Sequence, residues 1–182
     1  LSGTGQERAP LVAFGKALCG LIARVRGPRT VSGLVTALTL GAYNRQFRPN
    51  RTSADWISRD QKVVDTYVSD PLCAFVPTVG MDRDLMGGIQ LIGNPANLKR
   101  MDPNTPIYFF SGDQDPVGGN GDGVRRVVQL FEQAGVKDIT LKLYPGGRHE
   151  MLNECSRSEV YSDVLAWLEA HLPLGREGGE LA

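Results

Sequence analysis

Two loops contain the residues of this chain that are best suited to chemistry. One spans residues 111–119 and carries Asp115, and the other spans residues 144–150 and carries His149. Each follows a short apolar run that is typical of a buried strand, and strand ends in open α/β sheets collect catalytic groups. A carboxylate bonded to one imidazole nitrogen leaves the other nitrogen able to take a hydroxyl proton. The pair predicts acid–base chemistry, with Asp115 and His149 as candidate catalytic residues.

Structural alternatives exist for each acid and each histidine taken alone. Asp115 precedes Pro116 and would suit an Asx-turn, and an isolated loop histidine is usually solvated. Asp113 is a competing acid, but it lies closer to the strand and is expected to be structural. His171 ends a predicted helix, where it complements the helix dipole. The combination of two loops past adjacent strands is what favours catalysis.

The elements that must position these loops alternate along the second part of the chain. We expect helices at residues 78–92, 123–134 and 157–172, and strands at residues 106–110 and 139–144. The unbroken apolar run at 106–110 is typical of a strand covered on both faces. This order predicts a parallel sheet with right-handed helical crossovers.

The first part of the chain shows helical patterns and no strand. Helices are expected at residues 10–26, 31–40, 54–59 and 61–69, with Ser53 as the N-cap of the third and a loop at 43–49. In the first helix the residues expected to face inward share a helical spacing: Leu11, Phe14, Leu18, Leu21, Ile22 and Val25. Several short helices without strands indicate a cap.

Metal and cofactor motifs fail on inspection. His149-Glu150 begins a zinc-protease HExxH, but the second histidine position is Asn153. Asp113 and Asp115 begin a calcium loop that Pro116 interrupts. The glycines at 118–123 lack the spacing of a dinucleotide site. We expect no metal and no cofactor.

Charge and cysteine content bear on location and partners. Residues 1–60 contain nine Lys and Arg against three Asp and Glu, a net charge of +6, and the rest of the chain carries −6. The basic part could contact anionic lipid headgroups, or the two regions could pack on each other. Nucleic acid is disfavoured because no binding motif accompanies the basic residues. Three widely spaced cysteines favour a reducing, cytoplasmic location, with peripheral membrane contact through the basic cap.

Two long motifs resemble the lysophospholipase and monoacylglycerol-lipase branch of the α/β-hydrolases. They are the segments 107–118 and 143–154, and the similarity covers nearly the whole chain. The resemblance implies the C-terminal part of an α/β-hydrolase fold with an all-helical cap. Residues 1–6 would be a core strand, 7–75 the cap and 76–182 the core. It also implies that Asp115 is the triad acid and His149 the base, with candidate pocket-lining residues Phe14, Tyr43, Phe47 and Trp56.

The chain departs from that family in having no Gly-x-Ser-x-Gly segment. In the family, the nucleophilic serine and the oxyanion-hole amides precede the position of Leu1. We therefore expect the C-terminal fragment of a serine ester hydrolase, inactive alone, whose partners are a lipid ester substrate, the missing N-terminal half and a second copy of itself. The alternatives are a non-catalytic lipid-binding or interaction module and a serine peptidase of the same superfamily.

Overall fold

A computed structural model describes residues 8–73 and 75–172. Short 3₁₀ turns cover Arg45–Phe47 and Met151–Asn153. The regular elements follow the order α1 (Ala9–Arg26), α2 (Gly33–Leu38), α3 (Leu40–Asn44), α4 (Gln61–Ser69), α5 (Val79–Ile92), α6 (Pro95–Leu98), β1 (Ile107–Gly112), α7 (Asp122–Ala134), β2 (Ile139–Tyr144) and α8 (Arg157–His171). The strand predicted at residues 1–6 lies outside the described residues.

The two strands form a parallel pair between two helices. Their register runs from Ile107 opposite Ile139 to Gly112 opposite Tyr144. All six residues of β1 are buried, as the apolar run predicted. One face packs against α7 and the other against α8, so the second part of the chain has three layers.

Phe109 lies at the centre of the layer between β1 and α7. Its side chain has no solvent exposure, and its ring meets the ring of Phe131 edge-on at 5.3 Å. Burial of a phenylalanine contributes about 1.5–3 kcal/mol, and a favourable aromatic pair adds to it. This packing holds β1, and with it the loop that carries Asp115.

The buried face of α1 differs from the prediction. The residues that pack towards α5 are small, since Cys19 and Ala23 are buried and a Cβ added at Gly15 would overlap Met86. Small residues let the two helices approach closely, so the larger apolar side chains are displaced from the contact. The expected inward stripe is therefore wrong in part, because four of its members are more than half exposed: Leu11, Phe14, Leu21 and Val25.

Two further helical predictions in the first part need correction. The helix expected at residues 31–40 is divided into α2 and α3 at Thr39. Residues 54–59 form turns rather than a helix, because Asp55 binds back to the preceding chain. Its carboxylate accepts hydrogen bonds from the backbone N–H groups of Arg51 and Thr52 and from the Thr52 hydroxyl. Such local bonds compete with helix formation.

The division of the chain at residue 75 into cap and core stays a prediction. Helices α1 and α5 pack on each other across it, and Cys19, Ala23 and Val35 share one buried cluster with Val79. Among the described residues, no helix has both the length and the apolar character needed to cross a bilayer.

Candidate active site

The loops after β1 and β2 approach each other at a glycine. Gly112 ends β1, and a Cβ added there would overlap the backbone carbonyl of Gly147. The loops are joined by hydrogen bonds from Gln114 N to Gly147 O at 3.0 Å and from Gly146 N to Asp113 Oδ1 at 2.7 Å. Asp113 thus holds the backbone of the second loop. The bare backbone of Gly112 is what permits this close crossing.

Asp115 and His149 lie in hydrogen-bond contact at this crossing. The Asp115 side chain has no solvent exposure, and its Oδ2 is 3.1 Å from Nδ1 of His149. Its other oxygen, Oδ1, accepts the N–H of Val117 at 2.9 Å. Both oxygens of the carboxylate therefore have donors, which fixes its orientation. A buried carboxylate that is bonded in this way can hold a histidine in one tautomer.

The imidazole of His149 is supported from the cap side by Trp56. The two ring centroids are 5.0 Å apart, and the backbone N–H of His149 donates to Trp56 O at 3.4 Å. About a quarter of the His149 side chain, 27 %, is exposed. Within the described parts of the chain, no hydrogen bond engages Nε2. The free nitrogen can serve a hydroxyl group that lies above the two strand ends.

The four predicted pocket-lining residues occupy different surroundings. Trp56 is buried and contacts both the His149 ring and the ring of Tyr43 at 5.4 Å. Phe47 lies beneath the guanidinium of Arg148 at 4.0 Å. Phe14 lies on α1, where it is 63 % exposed. The acyl pocket itself stays a prediction.

The contacts of three charged residues around the histidine loop were not predicted from the sequence. Glu154 is fully buried and pairs with Arg59, whose Nε lies 3.0 Å from its Oε2. Arg148 donates to the carbonyl of Ser58 at 3.2 Å and to that of Asp55, and burial lowers the pKa of its guanidinium. A glutamate in a polar loop carries no sequence signal of burial, so only the motif that contains Glu154 drew attention to this segment.

The fold and the site define a class of protein. A parallel α/β sheet, flanked by helices, with an acid after one strand and a histidine after the next, is consistent with part of an α/β-hydrolase fold. The family model described as serine aminopeptidase S33 matches residues 5–156. The chain belongs to this family of α/β-hydrolases, and it is similar to monoacylglycerol lipases. The fold class predicted from the sequence is confirmed.

Individual relatives agree with this assignment. The chain is 34% identical over 144 residues to a monoacylglycerol lipase from Mycolicibacterium smegmatis, an alignment that covers 76% of the chain and 47% of that protein. A thermostable carboxyl esterase from Bacillus coagulans, solved in complex with glycerol, superposes with a TM-score of 0.78 at 27% identity, covering 93% of the chain and 55% of the esterase.

A third relative supports the fold alone. A soluble variant of monoglyceride lipase from Saccharomyces cerevisiae, solved with a substrate analogue, gives a TM-score of 0.63 at 22% identity, over 94% of the chain and 55% of that lipase. The chain spans about half the length of the relatives that it matches.

Proposed function

We propose that Asp115 and His149 are the acid and the base of a Ser-His-Asp triad that hydrolyses carboxylic esters of monoacylglycerols or lysophospholipids. The observation that carries this proposal is the 3.1 Å contact between the buried Asp115 carboxylate and His149 Nδ1. The resemblance to a monoacylglycerol lipase supports the substrate class. A histidine bonded through Nδ1 has Nε2 available as a general base.

The proposed reaction has two halves. A serine hydroxyl attacks the ester carbonyl carbon while its proton moves to His149 Nε2, and the alcohol then leaves with that proton. Nε2 next takes a proton from water, whose oxygen attacks the acyl-enzyme, and returns that proton to the serine oxygen as the fatty acid leaves. Asp115 remains ionised throughout and stabilises the imidazolium that forms in each half.

The nucleophile is proposed to come from polypeptide outside these 182 residues. No Gly-x-Ser-x-Gly segment occurs in the chain, and no serine of the described residues hydrogen-bonds His149. The relatives are about twice as long. Because the oxyanion-hole amides would also be absent, the chain by itself is expected to be inactive.

The test uses the longer polypeptide that we propose contains this chain. Hydrolysis of a short-chain aryl ester and of a monoacylglycerol is measured for the parent, for His149→Ala and for the control His171→Ala. We expect activity to be lost only with His149→Ala. Activity that survives this change removes the proposed role of His149. A complete coding region without a Gly-x-Ser-x-Gly segment would instead favour the non-catalytic lipid-binding or interaction module.

Amide hydrolysis is the second candidate, because the matching family is described as a serine aminopeptidase. The same triad can attack esters or amides, and the pocket decides between them. An aminoacyl p-nitroanilide, assayed beside the aryl ester, separates the two functions. Faster turnover of the anilide would reject the lipase proposal in favour of a peptidase.

A lipid surface is the proposed membrane partner of the cap. Helix α1 exposes Phe14, Leu21 and Val25 beside the exposed Arg24 and Arg26. Apolar and basic side chains on one helix suit an interface with anionic headgroups. The chain should co-sediment with vesicles that contain an anionic lipid, and Phe14→Ser should weaken this binding. Equal binding to zwitterionic vesicles would contradict the electrostatic part.

We propose that the protein partner of this chain is the other half of the hydrolase sheet. When that half is absent, a second copy of the chain is proposed to pair in its place. Only β2 pairs with β1 within the described residues. A strand edge without a partner favours association. Light scattering of the 182-residue chain should therefore detect dimers or larger species, whereas a monodisperse monomer would contradict self-association.

A further inference from the structure

One buried carboxylate joins the cap to the segment that carries the histidine. Glu154 has no solvent exposure, and its two oxygens accept four hydrogen bonds. Oε1 accepts the backbone N–H groups of Arg59 at 2.9 Å and Arg148 at 3.1 Å. Oε2 accepts Arg59 Nε at 3.0 Å and the backbone N–H of Cys155 at 2.9 Å. A buried charge is tolerated when it is paired and fully hydrogen-bonded, as it is here.

Two of the residues that donate to Glu154 belong to the segments that carry the rings of the site. Arg148 immediately precedes His149, and Arg59 ends the turn segment 55–59 that contains Trp56. Glu154 thus binds the backbone of both segments, at Arg148 and at Arg59, through the same oxygen. That oxygen therefore links the two segments directly.

Other contacts close the segment 55–59 onto the histidine loop. The backbone N–H of Glu150 donates to Ile57 O at 2.9 Å, and His149 N donates to Trp56 O. The guanidinium of Arg148 binds the carbonyls of Asp55 and Ser58 from the other side. Trp56, in the middle of this clamped segment, is buried and lies against the His149 ring.

We propose that Glu154 is a positioning residue for His149, and this inference rests on the proposed function of that histidine. Glu154 holds Arg59 and the Arg148 backbone together, which keeps Trp56 against the imidazole and keeps Nδ1 aligned with Asp115. The segment 55–59 is accordingly a fixed support of the base rather than a lid that opens. Pre-organisation of this kind matters because small misplacements of a catalytic group slow a reaction strongly.

The first experiment is made on the 182-residue chain and needs no activity. Glu154→Gln replaces one acceptor oxygen with an NH₂ group that faces two donors, so the clamp loosens. The matched control is Glu150→Gln, which removes a carboxylate adjacent to His149 whose Oε2 accepts a hydrogen bond from Asn153 Nδ2. At about pH 8.5, where free imidazole is neutral, ¹H–¹⁵N spectra report the Nδ1–H proton and the tautomer of each ring.

The expected result is specific to one of the two histidines of the chain. In Glu154→Gln the Nδ1–H signal of His149 broadens or disappears, and its ¹⁵N shifts move towards a mixture of tautomers. His171, which stacks on Trp167 at 4.1 Å in α8, serves as the internal reference and keeps its shifts. Glu150→Gln leaves both rings unchanged. A folded Glu154→Gln chain whose His149 signals match the parent overturns the proposal.

A second variant covers the case in which Glu154→Gln does not fold. Arg59→Gln removes only the side-chain partner, which is 36 % exposed, and leaves the three backbone donors of Glu154 in place. We expect a smaller change of the same His149 signals in Arg59→Gln. In Arg59→Lys, which keeps a cationic donor, the His149 signals should match those of the parent. Unaltered His149 signals in a folded Arg59→Gln chain also overturn the proposal.

Kinetics of the longer polypeptide separate this inference from the proposed function. Glu154→Gln should lower kcat about 10²-fold with KM nearly unchanged, since the base is misplaced while substrate binding is not. A purely structural role would reduce only the amount of folded enzyme, with kcat per active site preserved. If His149→Ala is harmless, the triad proposal fails, whereas the spectra still decide whether Glu154 positions the ring.

Discussion

Replacing Asp115 with asparagine changes a single group at the centre of the site. Oδ1 accepts the N–H of Val117 at 2.9 Å and Oδ2 contacts His149 Nδ1 at 3.1 Å, with no solvent in reach of the side chain. An amide can accept at only one of these positions. In one orientation the amide oxygen accepts the N–H of Val117, and the NH₂ group faces His149 Nδ1. In the other orientation the amide oxygen faces Nδ1, and the NH₂ group opposes the N–H of Val117.

The magnitudes decide between these orientations. A buried N–H that loses its acceptor costs about 1–3 kcal/mol, so the amide keeps the Val117 bond. His149 then accepts at Nδ1 and carries its proton on Nε2, the tautomer that cannot take a hydroxyl proton. In a comparable triad this exchange lowers kcat about 10⁴-fold, which is about 5.4 kcal/mol of transition-state stabilisation. Stability should fall by only about 1–2 kcal/mol, because a charge-assisted hydrogen bond is replaced by a neutral one.

Three measurements check this prediction for Asp115→Asn. Denaturant unfolding of the chain gives the loss of stability, ¹⁵N shifts of His149 report the tautomer, and ester hydrolysis by the longer polypeptide gives kcat. Asp113→Asn is the matched control, because an amide oxygen can still accept the N–H of Gly146. The reasoning is refuted if Asp115→Asn leaves the tautomer unchanged and kcat within about tenfold of the parent.

Three further predictions concern the stability of the chain. Gly112→Ala should destabilise it by about 3 kcal/mol or more in denaturant unfolding, because the added methyl group overlaps the Gly147 carbonyl. Phe109→Ala should cost about 3–5 kcal/mol in the same assay, since a fully buried ring that packs on Phe131 is removed. Burial raises the pKa of Asp82, so its ionised form opposes folding, and Asp82→Asn should stabilise the chain at pH 7. Because the folded-state pKa lies above the unfolded one, this gain should vanish on acidification below about pH 4.

Each of these variants has a control in the same chain. Gly88→Ala adds a methyl group in α5 where, among the described residues, no atom beyond the neighbouring helix backbone lies within 4 Å, and it should be neutral or stabilising. Phe14→Ala removes a largely exposed ring and should stay within about 0.5 kcal/mol of the parent. Asp84→Asn removes an exposed carboxylate and should show no gain at neutral pH. Equal effects of a variant and its control would contradict the burial argument for that site.

Local sequence patterns predicted the elements that carry the proposed triad residues. The run at 106–110 became the buried strand β1, the alternation at 139–144 became β2, and the helices after them begin within a residue of the expected positions. These features depend on periodicity and turn residues within a few positions of one another. The same patterns put Asp115 and His149 just past neighbouring strands, where the structure brings them into contact.

Other features were decided by contacts between distant segments. The buried face of α1 depends on α5, whose approach selects the small residues Cys19 and Ala23 over the larger apolar stripe. The turns at 54–59 have a local cause instead, because the Asp55 carboxylate accepts hydrogen bonds from the backbone N–H groups of Arg51 and Thr52.

The sequence by itself determined which residues are able to do chemistry and which strand ends carry them, because the relevant patterns are local. Only the tertiary structure decided what supports the histidine. Trp56 and Arg59 are about 90 residues away from His149 and Glu154 along the chain, yet they meet at the histidine loop. The sequence does not show that Glu154 is buried, because burial of a carboxylate requires hydrogen-bond donors, and some of these donors come from a distant segment that folding brings close.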